Sequence, residues 1–251
     1  MIRSRAKYCF LLALSTLPPA CSAQSANPQD LSPSTISYTV SARELSIPKK
    51  ARKAFFKGSQ LLALRDWAGS LSEFQRAIAA FPGYYEAYDK TGNAELDLSH
   101  GADAEASFRK AIDLSAGRYA PPHSGLGLAL CMEKRFDEAE ASARTGVELD
   151  PSYAAGHFAL AWILYVRGRQ PEARDQARQA AVEKPDFAEA YLLLAQIEMQ
   201  EHDSVAIVGD LDEYLKLVPS GPATAKVVAI RDEAQRALAD KSTVVVAKAD
   251  P

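Results

Sequence analysis

Residues 154–185 read AAGHFALAWILYVRGRQPEARDQARQAAVEKP, and residues 188–219 read AEAYLLLAQIEMQEHDSVAIVGDLDEYLKLVP. The two stretches have the same length and each closes on a proline. Residues 120–151, APPHSGLGLALCMEKRFDEAEASARTGVELDP, set the same pattern upstream. Pro151, Pro185 and Pro219 therefore stand 34 residues apart, and Pro82 lies 69 residues before Pro151. Self-similarity at a fixed period of roughly 20–50 residues marks an array of stacked units, so the period governs every local reading. Such arrays build binding surfaces and offer little that resembles a catalytic cleft.

With each closing proline at position 32, the repeats start at Ala51, Tyr85, Ala120, Ala154 and Ala188. Position 8 is Gly58, Gly92, Gly127, Ala161 and Ala195, and position 20 is Ser70, Ala104, Ala139, Ala173 and Ile207. Small side chains there let two antiparallel helices approach closely. Position 24 is Phe74, Phe108, Ala143, Ala177 and Leu211, and position 27 is Ala77, Ala111, Gly146, Ala180 and Tyr214. Aromatic knobs in the early repeats fill space that alanine leaves in the others. The proline ends the second helix, because it lacks an N–H and its ring collides with the preceding turn. Over residues 50–219 this pattern resembles the tetratricopeptide repeat (TPR) family. The resemblance implies an all-α fold: a right-handed superhelical solenoid of about five helix-turn-helix repeats plus a C-terminal capping helix.

Departures from the pattern are as telling. The second repeat has Ala116 in place of proline, followed by Gly117 and Pro121-Pro122, which predicts an irregular exit loop. After Pro219, an amphipathic helix is expected over residues 220–240, with Val227, Ile230, Ala234 and Leu238 on one face. Its polar side would cap the array. Residues 241–251 read as a C-terminal tail containing the apolar run Val244-Val245-Val246.

At the other end, Arg3, Arg5 and Lys7 precede an apolar run from Tyr8 to Leu17, then prolines and small residues. That is the layout of a signal peptide over residues 1–23, too short in its apolar part to span a bilayer. Export to the periplasm or outside the cell follows, with cleavage after Ala23 as the reading. Lipid attachment at Cys21 is the rival, and prolines at positions 18 and 19 fit it poorly. Residues 24–48 read as a polar linker with a weak strand pattern at Ile36, Tyr38 and Val40, and the array proper as 49–219. Resemblance to the entry segment of secreted bacterial TPR proteins, over Val40 to Gly58, supports the compartment.

Without residues 1–23 the chain has 26 basic and 32 acidic side chains. This balance argues against nucleic acid or an anionic membrane as a general partner. Lys49, Lys50, Arg52, Lys53 and Lys57 make one local basic cluster, read as a solvated first-helix face. Only Cys131 remains of the three cysteines, so no intramolecular disulfide is expected. No second apolar run is long enough to be a transmembrane helix.

A search for chemistry returns nothing catalytic. Lys90-Thr91-Gly92 and Ser107-Phe108-Arg109-Lys110 match two elements of penicillin-recognising enzymes, but in the wrong order and without the intervening S-D-N. Gly92 and Phe108 are already repeat positions. His123 and His157 share position 4 of adjacent repeats, where Tyr88 and Tyr191 stand elsewhere, so bulky packing outweighs a metal site. No enzyme, no cofactor and no metal are expected.

What the resemblance offers instead is a groove. In TPR proteins the first helix of each repeat lines a concave channel, chiefly through positions 2, 5, 9 and 12. Carried onto this chain, the contact residues are Asp89, Asn93, Leu128, Phe158, Trp162, Tyr165, Leu192, Gln196 and Met199. Only Arg52 supplies a cation at positions 2 or 5, so capture of a peptide carboxylate is not expected. The expected function is a protein-interaction scaffold that takes a peptide or helix of a partner in an apolar groove. The alternative is an envelope-attached structural or assembly component that self-associates. The valine run of the tail is expected to dock on Phe158, Trp162, Tyr165, Leu192 and Met199, shielding the groove or competing with its ligand.

Overall fold

The computed structural model describes residues 46–247, with side chains to residue 239. The signal peptide, linker residues 24–45 with the weak strand, and residues 248–251 lie outside that range, while Ile47 at the end of the linker is buried against Ala51 and Ala54. Among the described residues are eleven helices: α1 Lys49–Ala63, α2 Trp67–Ala80, α3 Tyr85–Asp97, α4 Gly101–Leu114, α5 Ala120–Met132, α6 Phe136–Leu149, α7 Ala154–Val166, α8 Gln170–Glu183, α9 Ala188–Glu201, α10 Ser204–Leu217 and α11 Thr224–Ala247. No strand is present among them. The fold is all-α, and each of the five expected repeats is one helix pair. Residues 46–149 hold α1–α6 and residues 150–247 hold α7–α11, each a compact unit.

The small registers are buried as expected. Ser70, Ala104, Ala139 and Ala173 at position 20, and Ala77, Ala111 and Ala180 at position 27, are fully buried. Phe74 and Phe108 are fully buried too, and each fits a notch. A Cβ added at Gly58 would come within 2.7 Å of the Phe74 ring, and one at Gly92 within 2.8 Å of Phe108. Gly125 of α5 meets the same Phe108 ring, at 2.3 Å from a hypothetical Cβ. One ring is therefore shared by glycines of two successive repeats.

How helices stop depends on the closing residue. Phe81, Lys184 and Val218, each just before a proline, are extended, with φ of −150°, −140° and −127°. Proline forbids its predecessor the helical region, so the exit is forced. Without proline, the second repeat leaves through two left-handed residues, Ala116 at φ 52° and Gly117 at φ 71°. Gly117 N–H donates to the Ile112 carbonyl at 2.8 Å, the six-to-one bond of a Schellman ending. The irregular exit loop is as the sequence implies.

Within each repeat, the turn between helices uses a left-handed residue at position 15: Arg65, Ser99, Lys134, Gly168 and His202, with φ from 60° to 78°. Only one of the five is glycine, so this register is invisible to a composition-based reading. Asp66 and Asp203 cap the helices that follow, accepting from Gly69 N–H and from Val205 and Ala206 N–H.

In the second unit, Met199, Ile207, Leu211, Tyr214, Val227 and Ala234 form one cluster, so α11 covers the last helix pair. α11 runs through Ala247, seven residues past the expected boundary, and takes the valine run into helix. No proline or glycine lies between Pro222 and Ala247 to stop it. The run is thus helical backbone rather than an extended tail.

Candidate functional site

On the first helices of repeats two to five, the four supposed contact registers divide by burial, with one exception. Positions 5 and 12 turn into the protein. In the first unit Asp89, Leu96, Ser124 and Cys131 are buried, and in the second Phe158, Tyr165 and Met199 are buried. Positions 2 and 9 stay half-exposed: Glu86 and Asn93, Pro121 and Leu128, Ala155 and Trp162, Glu189 and Gln196. Leu192, at position 5 of the fifth repeat, is half-exposed as well. Of the nine expected contact residues, Asn93, Leu128, Trp162, Leu192 and Gln196 are therefore accessible. Asp89, Phe158, Tyr165 and Met199 belong to the interior.

In the second repeat the accessible face is polar. Asn93 Nδ2 donates to Asp89 Oδ2 at 3.4 Å, and Lys90 Nζ stands 3.4 Å from the same oxygen. Asp89 is 1% exposed, and its Oδ1 has no hydrogen-bond partner. Burial pushes its carboxyl up, with the Lys90 ammonium opposing. Burial also pushes the Cys131 thiol up to about 11, which makes it a poor nucleophile.

In residues 150–247 the accessible positions carry Trp162 and Leu192 beside Glu189 and Gln196, and Trp162 is supported from behind. Phe158 packs on Phe187 with ring centres 5.1 Å apart, and Trp162 lies 5.9 Å from Tyr165. Gln200 Nε2 donates to the Tyr165 hydroxyl at 3.0 Å, tying α7 to α9. Trp162 thus stands half-exposed on a fixed aromatic base.

Both position-4 histidines are engaged by the protein. His157 Nε2 donates to the Pro151 carbonyl at 2.8 Å, and its Nδ1 lies 2.8 Å from the Gln176 side-chain oxygen. The Tyr191 hydroxyl makes the corresponding bond to the Pro185 carbonyl at 3.2 Å. His123 Nε2 donates to the Gly117 carbonyl at 3.2 Å, where the inserted residue has replaced the usual acceptor. Position 4 is thus a latch on the preceding exit loop. Among the described residues, no three His, Cys, Asp or Glu side chains are grouped to hold a metal ion. Ser107 is hydrogen-bonded to Glu95, and Lys90 faces Asp89, so the two catalytic-looking strings point to different partners.

The sequence profile of the tetratricopeptide repeat matches residues 57–119 and 125–186. The chain carries tetratricopeptide repeats. The fifth TPR-like pair, α9 and α10, lies beyond the matched residues. In structure the chain is similar to a thermophilic TPR protein of Thermus thermophilus, with a TM-score of 0.65 and 18% identity over 74% of this chain and 98% of that one. It is similar to yeast Tom70 with a TM-score of 0.63 and 17% identity, over 79% of this chain and 42% of Tom70. It is also similar to PilW, a type IV pilus biogenesis factor, with a TM-score of 0.59 and 17% identity over 74% of this chain and 89% of PilW. No curated protein matches the sequence. TPR arrays are protein-interaction scaffolds, and that much of the function follows from the fold. Among the described residues, no helix is long and apolar enough to cross a membrane.

Proposed function

We propose that this TPR protein is an exported, non-catalytic scaffold that holds a peptide or helix of a partner protein against the first helices of its repeats. The observation that carries the reading is Trp162. It is a large indole left half-exposed at a register that is half-exposed in every repeat, and it is braced by Tyr165. Rigid aromatics at such places anchor partner segments, because they bury much area at little entropic cost. Leu192 and Gln196 supply an apolar contact and a donor–acceptor on the same unit.

A photo-crosslinking side chain at residue 162 or 192 should capture one protein from an envelope extract. The same group at Val182, which is exposed on α8, should capture none. Equal labelling from all three positions would dissolve the assignment. Export rests on the basic, apolar and small-residue layout of residues 1–23. Mass spectrometry of the mature protein should find Gln24 first; a diacylated Cys21 would make it lipid-anchored, and Met1 would remove export.

A further inference from the structure

The outer face of α1 is cationic, and the structure adds apolar side chains to it. Lys49, Lys50, Arg52, Lys53 and Lys57 are all exposed on a helix that contains no acid. Phe56 stands among them 65% exposed, and Leu64 at the end of the helix is 77% exposed. Its adjacent aromatic, Phe55, turns inward onto Phe74 and Tyr84, with ring centres 5.8 and 4.9 Å away. Residues 46–80 hold seven basic and two acidic side chains, in a chain whose net charge is −3. One of the two acids, Glu73, is already clamped by Lys57 at 2.7 Å and Arg76 at 3.0 Å, and those contacts hold its carboxyl below the usual range. Lys49, Lys50, Arg52 and Lys53 make no ion pair among the described residues.

We infer that α1 docks on an anionic lipid surface, with its lysines on the headgroup phosphates and Phe56 and Leu64 entering the interface. Three features favour lipid over an acidic peptide or nucleic acid. The cations are spread over about half of the circumference of α1 rather than gathered at one point, as gripping a single acidic group would require. A phenylalanine at the centre of the stripe would meet only solvated charge on an acidic protein, whereas a headgroup layer offers apolar depth just beneath its phosphates. The positive charge is confined to one end of an otherwise acidic chain, so attraction is local and orients the molecule. The inference is independent of the Trp162 surface.

The test is sedimentation of the mature protein with vesicles of phosphatidylcholine alone or containing phosphatidylglycerol. Binding is expected only with the anionic lipid, and is lost at about 0.5 M salt, where screening is within a few ångströms. Lys49→Glu, Lys50→Glu and Lys53→Glu together should weaken it about a hundredfold or more, since each basic residue near such a surface contributes several-fold. Phe56→Ser alone should weaken it by about tenfold while leaving the salt dependence in place. These side chains are exposed, so circular dichroism should be unchanged; Trp67 emission, read in a Trp162→Phe background, should shift to the blue on binding. Equal binding to neutral vesicles would overturn the inference. So would indifference to the charge reversals, or binding to polyglutamate or duplex DNA without binding to vesicles.

Discussion

The second and fourth repeats solve one packing problem in opposite ways. In the second, bulk is on the second helix: Phe108 fills the pair, and glycine faces it at position 8. In the fourth, Ala161 and Ala177 stand at the same registers, both fully buried, and bulk has moved to α7, where Phe158, Leu160, Ile163, Leu164 and Tyr165 are buried. Pair spacing is set by the summed volume at a register, and either helix can supply it. The choice has a functional side effect. Where the second helix carries the bulk, the first helix is free to be polar, as Asp89 and Asn93 show. Where the first helix carries it, the overflow appears at the surface as Trp162.

The largest expected effect breaks the comparison at its anchor. Phe108→Ala should cost about 3–5 kcal/mol in chemical denaturation, because a fully buried ring packed on two glycines cannot be replaced by local collapse. Ala177→Gly at the same register should cost only about 1 kcal/mol, through helix propensity. Gly92→Leu is the converse insult and should cost about 1–3 kcal/mol by overpacking, with hydrogen exchange rising in residues 46–149 first. A uniform rise would mean the repeats unfold as one.

The turn register gives a smaller, signed contrast. Gly168→Ala, at φ 78°, should destabilise by about 1 kcal/mol, and Lys134→Gly, at φ 62°, should stabilise by a similar amount. Thermal melts of the two variants should move in opposite directions.

The smallest effect is in pH dependence. Burial pushes the Asp210 carboxyl up to about 6, with Glu198 adding, Arg178 opposing, and Asp203 and Glu213 adding further. The folded state then binds the proton more tightly than the unfolded chain. This group's contribution therefore favours folding below about 4, and fades as pH rises through 6. Asp210→Asn should raise stability at pH 7 and flatten the slope between pH 4 and 6. An unchanged slope would assign that window to other carboxylates.

The registers that pack helix on helix were legible because only a few side-chain volumes fit there. Position 15 was not legible, since Arg65, Ser99, Lys134 and His202 carry no mark of the left-handed region they occupy. The end of α11 escaped for a related reason: valines favour strands in isolation, but with no breaker after Pro222 the helix continues through them. At the site, the sequence placed residues on the right helices without separating inward from outward registers. A stripe at helical spacing is the same for a core and a groove. Phe55 and Phe56 make the point most sharply, being adjacent and alike in chemistry, yet one is packed on two rings and the other projects into a field of lysines.

The ring of Phe108 also decides where this molecule can be taken apart. Because Gly92 and Gly125 share it, the junction after α4 is not a seam, although the irregular loop at Ala116-Gly117 makes it look like one. A chimera that swaps in a foreign third repeat there must bring a glycine at residue 125, or the incoming helix will not seat. Module exchange in this array is therefore best cut inside a repeat, leaving the ring and both its glycines on one fragment.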